Sequence, residues 1–184
     1  MHLLLRGGPT AADAPGPRTG GLPLAPAGFG WPHCRECESS LLFIAHLPLD
    51  HGTAAVFLCD FDPGLCSGWA ADDGANRAYL FPPGTPLRPA PAPASDESDA
   101  PTLLPATALH PASHPDDRPE AGRVGGTPGW LQDPEIPSCP GCASPMEFAA
   151  QLENDDTGIN FGDDGRGYLF TCRPCTRAAF LWQC

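Results

Sequence analysis

Two stretches of the chain alternate apolar and polar positions with a period of two. Leu41, Phe43, Ala45 and Leu47 fall on one side of the first, and Met146, Phe148, Ala150 and Leu152 on one side of the second. Side chains of a strand point alternately to its two faces, so this period predicts half-buried β-strands. A second strand follows each of them, Ala54 to Cys59 and Gly167 to Cys172. One pair of thiols precedes each first strand (Cys34 and Cys37, Cys139 and Cys142), and another begins at the end of each second strand (Cys59 and Cys66, Cys172 and Cys175). An antiparallel hairpin brings two such pairs together.

The two stretches are copies. A shift of 105 positions carries Gly20, Gly21 and Pro23 onto Gly125, Gly126 and Pro128, Cys34 and Cys37 onto Cys139 and Cys142, and Phe43, Ala45 and Leu47 onto Phe148, Ala150 and Leu152. Further on the register slips by eight, and AVFLC ending at Cys59 matches YLFTC ending at Cys172. Two copies suggest two pseudo-equivalent lobes rather than a solenoid.

Composition changes this picture in the middle. The chain has 25 prolines and 21 glycines in 184 residues, which makes long helices improbable. Twelve prolines and no aromatic residue or cysteine lie between Pro82 and Pro128. Such a segment has little apolar area to offset ordering costs of about 1–2 kcal/mol per residue, so it reads as disordered or polyproline-like. Its apolar stretch, Pro101 to Leu109, is the part suited to docking on the lobes. The predicted organisation is a flexible N-terminus (1–17), a first lobe (18–81), a Pro/Ala-rich linker (82–123) and a second lobe (124–184).

Charge narrows the function classes. All ten basic residues are arginine, against 22 acidic ones, for a net charge of −12. Such a chain repels phosphate backbones, which argues against nucleic acid as a ligand. The run of three leucines near the N-terminus is too short for a signal-peptide core or a membrane span, so a cytoplasmic monomer is expected. In a reducing compartment nine cysteines are not a disulfide framework.

The spacings are C-x2-C-x21-C-x6-C for Cys34, Cys37, Cys59 and Cys66, and C-x2-C-x29-C-x2-C for Cys139, Cys142, Cys172 and Cys175. Two residues between thiolates let one tight turn offer both sulfurs to one ion, and two such turns complete a zinc tetrahedron. The Asp62-Pro63-Gly64 turn could fold Cys66 back in the wider gap. Other uses of the thiols are a redox dithiol, which needs a helix N-terminus that Pro145 and the alternating run deny, and a nucleophile with His33 or His46 as base. His33 could also replace a thiolate in the first site. Cys184 reads as a free or buried thiol. The acidic cluster Asp155, Asp156, Asn160, Asp163 and Asp164 does not fit the spacing of an EF-hand and reads as turn chemistry, as does Asp72-Asp73-Gly74.

The segments from Arg18 to Cys37, Phe43 to Leu47, Cys59 to Cys66 and Ile159 to Cys184 together resemble the YwqG-like family of bacterial proteins, a domain of unknown function. The shared features are a Gly-Gly-x-Pro entry, Trp31-Pro32 before the first cysteine pair, and Phe161-Gly162-Asp163 before the last strands. The likeness spans about two-thirds of the chain and implies a duplicated, strand-rich α+β fold with no catalytic residues to transfer. His46 stands where relatives usually carry Gln. A more distant likeness is to eukaryotic programmed cell death protein 2. Both resemblances imply a protein that holds another protein, as an immunity factor or a chaperone does.

The expected protein is therefore strand-rich α+β, with a zinc-ribbon-like cysteine hairpin in each lobe and two structural zinc ions. Its expected function is non-enzymatic binding of a basic protein partner, without nucleic acid or membrane. The competing readings are an enzyme between the lobes using His46 or Asp163, and a thiol or metal sensor.

Overall fold

The alternating stretches form strands, and a computed structural model shows how they assemble. It describes residues 1–60, 66–71, 73–92, 103–154 and 158–184. Strands β1 (His2–Pro9), β2 (Arg18–Thr19), β4 (Leu42–Leu49), β5 (Gly52–Leu58), β6 (Asn76–Phe81), β8 (Thr107–Ala112), β9 (Glu120–Val124), β10 (Glu147–Glu153), β11 (Arg166–Cys172) and β12 (Arg177–Gln183) make one sheet. Its order is β12-β11-β10-β9-β1-β8-β2-β4-β5-β6, every neighbouring pair antiparallel. A small second sheet pairs β3 (Leu24–Ala25) with β7 (Arg88–Pro89). The large sheet curls until its edge strands β6 and β12 approach each other, a nearly closed barrel.

The expectation of an α+β fold is corrected: no helix occurs among the described residues, and the fold is all-β. Prolines and glycines leave few long uninterrupted runs, and the longest of them, from His33 to Leu47, is taken up by a cysteine turn and strand β4, since tertiary pairing rewards short extended runs. It follows that no helix of the described residues is long and apolar enough to cross a membrane.

Two further expectations change. Residues 1–17, read as a flexible N-terminus, contain β1, a central strand of the sheet. The segment read as a disordered linker contains β7, β8 and most of β9, and β8 also lies at the sheet's centre. Proline sits in β8 at Pro111, where the short β2 no longer flanks the strand, since β2 pairs with Thr107 and Ala108 alone. On that open side a missing N–H leaves no ladder bond unmade.

The period-two runs also do not present one face. A β-bulge lies between Phe43 and Ala45 against β5, and another between Phe148 and Ala150 against β11, at positions related by the same 105-residue shift. The inserted residue, Ile44 or Ala149, switches the face of everything after it. Leu41 and Phe43 therefore pack outside the barrel, whereas Ala45 and Leu47 pack inside. The sheet is buried on both faces: an interior core holds Leu4, Leu42, Val56, Leu169 and Phe180, and two outer cores gather around Phe43 and Phe57 and around Tyr168 and Phe170. The interior core takes residues from both halves, so they are not separate folding units.

Candidate metal centres

Each outer core is closed by a loop that runs from the Gly-Gly-x-Pro turn to the first cysteine pair. Gly20 and Gly21 have φ of 63° and 75°, and Gly125 and Gly126 have 70° and 85°. This left-handed backbone is open to glycine and costly for other residues. In the first half the loop lays Phe29 and Trp31 over Phe57, and the Trp31 indole donates to the Leu41 carbonyl at 2.8 Å. In the second, Trp130 lies on Tyr168, and the tyrosine hydroxyl donates to the Gly129 carbonyl at 3.0 Å.

The loops end in two knuckles of one geometry. The Cys34 N–H donates to the Ser39 carbonyl and the Glu38 N–H to the Cys34 carbonyl; Cys139, Ser144 and Ala143 repeat these bonds. Glu38 and Ala143 both take positive φ, 62° and 58°, which turns the chain back under the sulfurs. The Glu36 and Gly141 N–H groups point at the Cys34 and Cys139 sulfurs, at 3.5 and 3.4 Å. Such bonds stabilise thiolates. Cys59 and Cys172 follow at the ends of β5 and β11, and Cys175 comes from the β11–β12 turn, where Thr176 has φ of 50°.

The eight sulfurs gather into two groups, Cys34, Cys37, Cys59 and Cys66, and Cys139, Cys142, Cys172 and Cys175, with all four sulfurs of a group within 4.8 Å of one another. Cys37 and Cys59 sulfurs are 3.6 Å apart, and Cys142 and Cys172 sulfurs 3.7 Å. A regular tetrahedron about a metal at ~2.3 Å from each sulfur has edges of about 3.8 Å. The donor sets therefore fit a four-coordinate thiolate-bound ion, and both are positioned to hold one.

The thiols of each group differ in acidity. Hydrogen bonds from the Ser144 N–H and hydroxyl hold Cys142 down at about 6. Burial raises Cys37, but bonds from Ser39 and the neighbouring sulfurs outweigh it and leave the thiol at about 7. Cys175 is pushed up to about 12 by sharing protons with Cys142 and Cys139, and burial raises Cys66. Four crowded sulfurs cannot all ionise without a cation between them, so metal must displace protons on entry.

The other candidates lie elsewhere. His33 pairs with the Ser40 hydroxyl at 3.3 Å on the surface and belongs to neither group. Cys184 is exposed and likewise outside both. His46 is 1% exposed and cut off from solvent; burial and Arg18 lower it to about 4, and a bond to the Pro15 carbonyl opposes them. Its counterpart Gln151 accepts from Arg123 and from the Gly129 N–H, both at 2.8 Å. Asp163 lines a cavity of about 300 Å³ with Asp60, Trp69, Trp182 and Cys184. Asp73 caps a turn, accepting from the Ser67 hydroxyl and the Ala70 N–H. Asp155, Asp156, Asp72 and the Asp62-Pro63-Gly64 turn lie outside the described residues. A residue that no motif had marked, His51, bonds Thr171 at 3.0 Å in a cavity of about 200 Å³ between the halves.

The chain is similar to the uncharacterized protein YpfL of Salmonella typhimurium strain LT2, with 39% identity over 61 residues, which are 33% of this chain and 14% of YpfL. It thus spans a small part of that relative, whose name assigns no activity. No protein-family model and no solved structure matches the chain.

Proposed function

We propose that this is a non-enzymatic protein-binding module of the YwqG-like kind, each half of which is fastened by a structural zinc ion. The observation that carries the metal half is the pair of closed four-sulfur groups with near-tetrahedral spacing. Four protein thiolates leave no open coordination position for a substrate, so the ions serve stability and not hydrolysis. Zinc bound in such sites supplies on the order of 10–16 kcal/mol, comparable with or larger than the ~5–15 kcal/mol of a typical domain. The ions would hold the covering loops on the outer cores. The binding half rests on the resemblance and on the charge of −12, which favours a basic partner and makes capture salt-dependent, as for an immunity or chaperone-like factor.

Elemental analysis of protein purified without added metal tests the first half. Two zinc ions per chain are expected, and protein that melts cooperatively with no transition metal sinks it. For the second half, a basic protein recovered by pull-down should be lost as salt rises from 50 to about 500 mM; recovery indifferent to salt removes the electrostatic argument.

A further inference from the structure

Strands β6 and β12 end the sheet order and pass close to each other without pairing, so the barrel wall is shut along their join. Over the join, both knuckles and the loop before the second one enclose a cavity of about 610 Å³, in the size class of ligand-binding clefts. Three arginines line it, Arg35 from the first knuckle, Arg77 from β6 and Arg177 from β12, against one carboxylate, Glu135. In a chain of ten arginines and 22 acidic residues, this is a local reversal of charge.

The fold sets the place of each cation. The Arg35 N–H donates to the Gly74 carbonyl at 3.2 Å, and the arginine stem lies across Gly74 itself. A Cβ on Gly74 would stand 2.6–2.9 Å from three carbons of that stem, so the stem keeps its place only over a glycine. Arg77 and Arg177 are held in ladders, opposite Phe57 and Cys172. Arg77 precedes Tyr79 by two, and Arg177 precedes Ala179 by two. Tyr79 and Ala179 pack with the outer cores, so both arginines rise on the outer side of the join. Among the described residues neither takes part in an ion pair. Arg77 donates to the Asn76 carbonyl at 3.3 Å, which uses one of the five N–H groups of a guanidinium. Beside these cations the cavity has an apolar wall of Ala71, Ile136, Pro137 and Ala179.

We propose that this cavity binds a small organic phosphate monoester, its phosphate held by Arg35, Arg77 and Arg177 and its apolar body laid against Ala71, Ile136 and Ala179. Three guanidinium groups less one carboxylate leave two positive charges, which a phosphate dianion matches and a single carboxylate does not. Guanidinium forks also meet phosphate oxygens in pairs, through charge-assisted hydrogen bonds. The net charge of −12 opposes a polyanion laid over the surface, but a single phosphate responds to charges within a Debye length, about 8 Å at physiological salt. The ligand occupies the space already present over the closed join, and neither strand has to move. This site goes beyond the protein-binding reading and does not depend on it.

The test is isothermal titration of the full chain, as purified, with phenyl phosphate at about pH 7.5, where the second phosphate proton is lost. Inorganic phosphate, benzoate and benzylamine serve as comparisons. Phenyl phosphate should bind about tenfold more tightly than inorganic phosphate, because its ring adds apolar contact. It should also bind about tenfold more tightly than benzoate, which brings one charge and fewer acceptor oxygens, and benzylamine should not bind. Arg77→Gln with Arg177→Gln should weaken binding by about tenfold or more at an unchanged melting temperature. Arg118→Gln, outside the cavity and paired with Asp116, should leave binding as it is. In the unaltered protein, the amide resonances of Ala178 and Ala179 and the Nε–H signals of Arg77 and Arg177 should move during the titration, which locates the site without any variant. No heat and no shifts at millimolar ligand, shifts confined to other residues, or equal binding of any of the three comparisons overturns the proposal. So does wild-type affinity in the well-folded Arg77 and Arg177 variant, or equal weakening by Arg118→Gln.

Discussion

Leu5 lies opposite His110 in the β1–β8 ladder, and the 105-residue shift that relates the halves carries the one onto the other. The internal two-fold of the molecule therefore crosses the sheet at this pair. The flanking ladders obey it: Leu3 faces Arg123 between β1 and β9, and Ala108 faces Arg18 between β8 and β2. Each half thus lends its first strand to the second strand of the other. That exchange accounts for a single interior core shared by two repeats.

Because β1 bridges β8 and β9, removal of residues 1–9 should unfold the whole chain and not merely trim it. Leu4 and Leu5 are fully buried, and burial of a leucine is worth about 1.5–3 kcal/mol, to which the loss of two ladders is added. A milder change, Leu4→Ala, should cost about 2–5 kcal/mol in urea denaturation. Wild-type stability in the nine-residue deletion would contradict the exchanged topology.

Much of the two metal groups was legible, because thiol spacing is a local property that the knuckle turns preserve. The hairpins β4–β5 and β10–β11 were legible for a similar reason. The central strands were not. In β1 three consecutive leucines give no period, since the strand is covered on both faces, and in β8 a proline-rich composition hides a strand whose flank happens to be open at Pro111. Nor could the alternation reveal the bulges at Ile44 and Ala149, which are defined by register against a partner strand. His51 left no sequence signal at all, because its partner Thr171 lies 120 positions away.

Substitution should separate the two metal groups from the ninth thiol. Cys66→Ser removes one sulfur of the first group and should lower zinc content from two ions to one per chain, and Cys175→Ser should do the same through the second. Cys184→Ser, outside both groups, should keep two ions and an unchanged melting temperature. The count is read by a colorimetric chelator after thiol displacement. Loss of metal in the Cys184 variant would mean that the groups are drawn wrongly.

His46 should make the fold acid-sensitive. Its imidazole, lowered from 6.5 to about 4, is neutral when folded, so between those values the unfolded chain binds the extra proton. Stability from this residue is therefore complete above about pH 6.5, falls as the pH drops towards 4, and then levels off. The full loss is on the order of 3 kcal/mol. His46→Gln, the residue that the second half carries at this position, should remove that dependence, leaving a shallower fall caused by other groups such as the clustered cysteines. Urea midpoints of the two proteins at pH 7.5 and pH 5 provide the comparison, and parallel curves would show that His46 does not titrate on unfolding.

The repeated glycines should respond unequally to one and the same change. Gly20 and Gly125 share a left-handed backbone, φ 63° and 70°, so alanine costs each of them about 1–2 kcal/mol in conformation alone. Their surroundings differ. A Cβ on Gly20 would stand 2.3 Å from the Pro105 carbonyl oxygen, and backbone there must move, whereas a Cβ on Gly125 meets nothing nearer than Met1 at 3.8 Å. Gly20→Ala should therefore destabilise the protein by roughly 2 kcal/mol or more beyond Gly125→Ala, a cost of the kind set by overpacking. The two melting curves decide it: equal losses would mean that residues 104 and 105 do not press on the first turn, and with them the docking of the proline-rich segment against that half would have to be redrawn.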